Sequence, residues 1–167
     1  MEADYSPPEL NIGSLIMKEQ YIPQDVEKKM KKPRLLGIDH IEIIVKDAES
    51  MEAMIDFYRK MGFELTLRTD HHGGSAEISI PSGPVVEMHV GSRQEVIGIN
   101  HVAYVIDDLD KAYEYLVSHH VKFADPPTFV HSTGRRLANL RDTEGWRVQL
   151  IDAKTPRQES DECITQT

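Results

Sequence analysis

Cysteine is nearly missing from this chain. The only one, Cys163, has no partner for an intrachain disulfide, so a disulfide-stapled fold is excluded and a reducing compartment is the simplest expectation. Long apolar runs are missing as well. No stretch approaches the roughly 20 apolar residues needed to span a bilayer, and the amino terminus, M-E-A-D-Y-S-P-P-E-L, has neither the basic start nor the apolar core of a signal peptide. A cytoplasmic protein is expected. Positive charge is in short supply, with 19 lysines and arginines against 28 acidic residues and a net charge of -9. Nucleic acid and anionic membrane are therefore not expected partners, because both would repel such a chain. Local basic clusters such as Arg135, Arg136 and Arg141 still allow a small anion to bind. With 167 residues, 40% of them hydrophobic, the chain is long enough for one globular domain with a real core.

What is present is the same unit twice. From Gly37 the chain reads G-I-D-H-I-E-I-I-V-K-D and from Gly98 it reads G-I-N-H-V-A-Y-V-I-D-D, which puts His40 and His101 at equivalent positions 61 residues apart. Each unit closes on a strand-like run, P-V-V-E-M-H-V and W-R-V-Q-L-I-D, with Glu87 and Gln149 at matching places. Two copies of this length argue for a duplicated half-domain rather than a solenoid. Pseudo-twofold symmetry then brings four ligand-type side chains together. Residues 1–35 have no counterpart in the repeat and form an arm, with one helix allowed before Pro33. The repeat occupies residues 36–153, as modules 36–91 and 97–153, and residues 154–167 are a polar tail.

Within the first module I-D-H-I-E-I-I-V is an apolar-rich strand. In the following segment Met51, Met54, Ile55, Tyr58 and Met61 recur at helical spacing, and Gly62 suits a helix end. Three strand-like runs come next: F-E-L-T-L-R, S-A-E-I-S-I and V-V-E-M-H-V. The second module repeats the order, with a helix over residues 110–119 and strands near 121–123, 137–141 and 146–151. Period-two alternation places His40, Glu42 and Ile44 on the face away from the helix, and likewise Glu87 with His89 and Gln149 with Arg147. His71 and His72, beside Gly73 and Gly74, read as solvated loop residues.

These segments, with D-F-Y-R-K-M-G-F-E and L-R-D-T-E-G-W-R-V-Q-L, resemble the vicinal oxygen chelate superfamily over residues 37–152. That superfamily includes glyoxalase I, methylmalonyl-CoA epimerase, extradiol dioxygenases, and fosfomycin and bleomycin resistance proteins. The resemblance implies an α+β fold in which two tandem βαβββ modules form a cupped mixed β-sheet around a metal site. It implies one divalent ion, zinc, nickel, cobalt, iron(II) or manganese, on His40, Glu87, His101 and Gln149. Many members carry glutamate where this chain has Gln149. With a neutral amide there, the ion keeps a formal surplus of about one positive charge, which strengthens Lewis-acid polarisation.

The reaction expected from the resemblance is proton transfer by an isomerase, epimerase or lyase. Its substrate is a small carbonyl, carboxylate or acyl compound bound through vicinal oxygens. Glu87, on displacement, or Glu42, if free, moves the proton; for Glu42 a structural salt bridge is the other reading. His89 is open to orienting a neighbour, acid/base work or substrate contact. Arg141 and Arg147 either hold an anionic group of the substrate or form a solvated sheet edge. Glutathione is not expected, because the family's usual arginine and asparagine are replaced by Ile44 and Gly91, and the short linker G-S-R-Q-E-V-I-G departs from the coenzyme A-using epimerases. The alternatives are an iron(II)-dependent extradiol-type dioxygenase and a non-enzymatic resistance-type ligand-binding protein. A homodimer is the expected assembly.

Overall fold

The computed structural model describes residues 30–70 and 73–158. Most of the arm, His71 and His72, and the end of the tail with Cys163 lie outside them. The first module contains β1 (Leu35–Val45), α1 (Ala48–Lys60), β2 (Glu64–Thr69), β3 (Ser75–Ser79) and β4 (Val85–Val90). The second contains β5 (Gly98–Ile106), α2 (Leu109–Ser118), β6 (Thr128–Val130), β7 (Arg135–Arg141) and β8 (Arg147–Asp152).

Both helices start where an aspartate can cap them. The Asp47 carboxylate accepts from the Ser50 amide at 2.8 Å and Asp108 accepts from that of Lys111 at 3.2 Å, each satisfying an amide that the first turn leaves unpaired. Gly62, at φ +95, turns the chain out of α1 into β2, a conformation that costs glycine little. The apolar stripe of α1 buries Met51 and Ile55 against Val45, Ala76, Ile78 and Met88. Leu109 and Ala112 of α2 do the same against Ile106, Ala138 and Leu150.

The eight strands form one mixed sheet in the order β2-β3-β4-β1-β5-β8-β7-β6. The two first strands run antiparallel at its centre, and each pairs in parallel with the last strand of its own module. This is the pseudo-twofold arrangement that the duplication implies. Both helices cover one face, so the other is the lining of the cup. Among the described residues no helix is long and apolar enough to cross a membrane.

One strand differs from expectation. Residues 121–123 supply only a single bridge, Phe123 to Leu140, and pairing with β7 resumes at Thr128. Pro126 and Pro127 lie between. A proline has no N–H for the ladder and is tolerated only where pairing is interrupted or at an edge, so the outer strand of the second module is split where that of the first, β2, is continuous.

Candidate metal centre

Register assembles the centre. His40 lies opposite Ala103 and Glu42 opposite His101 across the central pair. Glu42 is also level with Glu87 on β4, and Ala103 with Gln149 on β8. Irregularities in the β1–β5 pairing fall on both sides of the His40–Glu42 segment, a device that re-aims side chains next to a site. His40, Glu42, Glu87, His89, His101 and Gln149 are all buried.

The two imidazoles meet edge to face, with Nε2 of His40 3.1 Å from Nε2 of His101. Their outer nitrogens are committed. His40 Nδ1 donates to the Asp39 carboxylate at 2.7 Å; His101 Nδ1 donates to Glu42 and lies 2.9 Å from the Asn100 amide oxygen. Carboxylate and amide oxygens only accept, so the protons sit on Nδ1 and both Nε2 atoms present lone pairs to each other. Two facing lone pairs repel unless something positive lies between them. Nitrogens each about 2.1 Å from one ion, at angles between octahedral and tetrahedral, stand about 3.0–3.4 Å apart, so the imidazole pair fits a divalent metal. Glu87 Oε2 is next, 3.6 Å from His40 Nε2, although Arg135 Nη1 also holds it at 3.3 Å. The amide nitrogen of Gln149 donates to Asn139 at 3.1 Å, which leaves its oxygen as the end for an ion. With Glu87 turned toward Arg135, no group of three histidine, cysteine or acidic side chains among the described residues already forms a closed cage.

Glu42 is not free. One oxygen takes His89 Nδ1–H and the other His101 Nδ1–H. Burial alone would raise this carboxyl, but the hydrogen bonds from His101 and His89 outweigh it and hold the group well below the ordinary carboxylate range. Glu42 thus fixes the His101 ring, a common duty of a carboxylate behind a ligating histidine. Burial, joined by the charges of Arg147 and His40, lowers the His101 imidazole despite the pull of Glu42, which favours its neutral form. For His89 burial also lowers the pKa, but Glu42 and then Glu95 outweigh it, and the group rises above its ordinary value. His89 sits behind Glu42, with Glu95 3.4 Å from its Nε2, and lines neither of the two cavities.

Arg135, only 3% exposed, is a centre that the strand pattern did not single out. Its Nε lies 3.0 Å from Asp39, its Nη2 3.1 Å from Glu77 and its Nη1 3.3 Å from Glu87. From the segment after β8, Arg157 clasps the same Glu77 at 2.6 and 2.8 Å. Burial raises Asp39 and Glu77, yet His40 and Arg135 on the one, and Arg157 and Arg135 on the other, keep both below their ordinary values.

The duplicated positions reveal a charge split. Asp39 corresponds to Asn100, and Glu87 to Gln149. Glu77, level with Glu87, corresponds to Asn139, level with Gln149. Three acids around His40 are three amides around His101. On the amide side Arg147 donates to Asn100 at 3.0 Å and to Asn139 at 3.3 Å. Arg141, at the exposed end of β7, donates to the Gly145 carbonyl at 2.7 Å. Two cavities, of about 850 and 640 Å³, share Asn139, Arg141 and Arg147 as a common wall. Asn100, on the wall of the smaller one, contacts both Arg147 and His101.

The cluster of Arg135 and its acids escaped sequence reasoning because its members lie on four strands, and alternation alone does not say which charges meet. The signal available was the substitution of acid by amide between the two copies, together with a basic residue, Arg135, on a cup-facing position.

A family model described as the Glyoxalase/Bleomycin resistance protein/Dioxygenase superfamily matches residues 37–150. An uncharacterized Bacillus subtilis protein, YwkD, is 26% identical over 128 residues, covering 71% of this chain and 98% of that protein. Among solved structures, methylmalonyl-CoA epimerase from Mycobacterium tuberculosis superposes with a TM-score of 0.62 at 20% identity, over 76% of this chain and 94% of that one. A variant of the Streptomyces coelicolor methylmalonyl-CoA epimerase, in complex with 2-nitronate-propionyl-CoA, gives 0.59 at 23%, over 71% and 98%. At these identities the structural likeness is one of fold. The family match spans both modules, and the chain belongs to the glyoxalase/bleomycin resistance protein/dioxygenase superfamily.

Proposed function

We propose that this protein is a metal-dependent enzyme of its superfamily that moves a proton on a carbon beside a carbonyl, as an isomerase, epimerase or lyase. Its substrate is a small oxygen-rich carbonyl, carboxylate or acyl compound. The reading rests on one observation above all, the two imidazole nitrogens 3.1 Å apart whose opposite nitrogens are both tied to acceptors. The epimerases among the structural neighbours fit a proton-transfer chemistry and lend it support. His40, His101, Glu87 and the Gln149 oxygen hold the ion. A divalent ion there supplies Lewis-acid polarisation of the substrate carbonyl, which acidifies the adjacent C–H.

Glu87 takes the proton and returns it. Unlike Glu42, whose two oxygens are both occupied by imidazole N–H groups, Glu87 has, among the described residues, Arg135 and His40 near Oε2. Arg135 balances the carboxylate when it is charged and lets it swing between the imidazoles and the reacting carbon. Glu42 keeps His101 in the tautomer that presents Nε2, and Asp39 does the same for His40.

The test is elemental analysis of protein purified without added metal, for the wild type and the His40→Ala/His101→Ala double variant. About one divalent ion per chain is expected in the first and none in the second. Stoichiometric metal in the double variant removes the site. An oxygen electrode, run on the loaded protein with catechols and 2-oxo acids, should register no uptake; stoichiometric uptake would assign the chain to the dioxygenases instead.

A further inference from the structure

The charge split between the modules has a counterpart in the cavities. On the acid side every cation is matched: Arg135 faces three carboxylates and Arg157 a shared one. On the amide side Arg147 is a full charge whose hydrogen-bond partners are neutral oxygens. The carboxylate within 4 Å of it among the described residues is Glu42, at 3.9 Å, already engaged by two imidazoles. Its side chain is about a third exposed, enough to be reached from the cavities and little enough to be only partly hydrated.

The larger cavity extends this asymmetry. Its charged wall is Lys122, Arg141 and Arg147 against a single acid, Asp142. The Asp142 carboxylate is turned back on its own loop, accepting from the amides of Glu144 at 3.0 Å and Trp146 at 2.9 Å. The rest of the wall includes Val121, Phe123 and Leu140. The smaller cavity sets Glu95, Asp125 and Glu144 against the same Arg141 and Arg147, so acids outnumber bases there. In a protein of net charge -9, a cationic wall backed by apolar surface is where an anion gains most. At about 850 Å³ the cavity falls in the range of small-molecule sites.

We propose that Arg147, backed by Arg141 and Lys122, is the anion pole of the substrate site. It receives the carboxylate of an acid whose apolar substituent lies along Val121, Phe123 and Leu140. Asn100 ties the pole to the centre, since one amide oxygen lies 3.0 Å from Arg147 Nη1 and 2.9 Å from His101 Nδ1. A carboxylate held there points the carbonyl end of the substrate along that link toward the centre, on the Nδ1 side of His101. That orientation rests on the proton-transfer reading above; the anion site itself does not. The substrate class is a carbonyl acid with a medium-sized hydrocarbon or aromatic substituent, bound carboxylate first to the second module.

The experiment uses the full chain stripped of metal with chelator, titrated with hexanoate and with hexanamide and followed by amide chemical shifts. The two probes share size and shape and differ in charge, and neither has the paired oxygens of a chelating substrate. Hexanoate should shift the amides of Arg147, Asn139 and Phe123 and bind at least tenfold more tightly than hexanamide. Arg147→Gln should remove that difference, Arg147→Lys restore part of it, and Arg141→Gln, at an exposed position, weaken it without unfolding the protein. Equal binding of the two probes or retention of the difference in Arg147→Gln would overturn the proposal. Because no arm depends on metal, failure of the metal assignment and failure of the anion pole give different results.

Discussion

Gly91 and Gln149 are single residues whose consequences can be followed from contact to measurement. A Cβ built on Gly91 would lie 2.5 Å from Ile44 Cγ2, and Ile44 is fully buried. Gly91→Ala should therefore destabilise the protein by about 1–3 kcal/mol through overpacking, visible as a lower midpoint in urea with the slope unchanged. Gln149→Glu adds a charge at the proposed ion, so metal affinity should rise while turnover falls, because a better-neutralised ion polarises substrate oxygens less. Competition with a fluorescent chelator measures the first effect and steady-state kinetics the second. Unchanged affinity would mean that Gln149 does not touch the metal.

At the scale of elements, each helix is held by its cap and its apolar stripe. Met88 lies fully buried under α1, and Met88→Ala should cost about 2–5 kcal/mol. The cap of α2 carries a pH signature. Asp108 is held down to about 2, first by its hydrogen bond with Lys154 and then by the Lys111 amide. Its folded pKa lies below the ordinary carboxylate value, so its contribution is present above about pH 4 and is lost as pH falls toward 2. Asp108→Asn should lower the thermal midpoint at neutral pH, flatten its fall over that interval and leave the midpoint near pH 2 little affected.

The helices and seven of the eight strands were legible in the sequence because apolar periodicity reports one buried face per element. The split outer strand was not, because the pattern V-K-F reads as a strand and the interruption is imposed by Pro126 and Pro127, which cannot pair. Among site residues, alternation placed His40, Glu87, His101 and Gln149 on the cup face. It said nothing of Arg135 or Arg157, whose hydrogen-bond partners lie 48 to 80 residues away in the chain.

For the molecule as a whole, metal and charge act across the modules. If the ion binds the folded protein alone, chelator should lower stability by about 4 kcal/mol where metal stands a thousandfold above its dissociation constant. The shift should vanish in His40→Ala/His101→Ala, and calorimetry with and without chelator reads both. Arg135, from the second module, neutralises Asp39, Glu77 and Glu87 of the first. Arg135→Ala strands buried carboxylates and should cost about 3–5 kcal/mol, whereas Arg136→Ala, on the next residue, loses a short pair with the exposed Asp110 and a longer one with Asp152 and should cost less, about 1 kcal/mol.

The position of Arg135 also bears on ancestry. A duplication begins with two interchangeable copies, and a half-length ancestor assembles from two identical chains. Here the first copy has kept three acids while the counter-ion sits in the second copy, and Glu42 of the first orients His101 of the second. Neither half now carries a complete set of charges. A gene cut between residues 91 and 97 would yield a first fragment with buried acids lacking their guanidinium and a second with an unsupported histidine. Neither would self-associate into a working cup, and only the two different fragments mixed together would rebuild one. The division of charge between the copies, more than the short linker that joins them, ties the two modules into one unit.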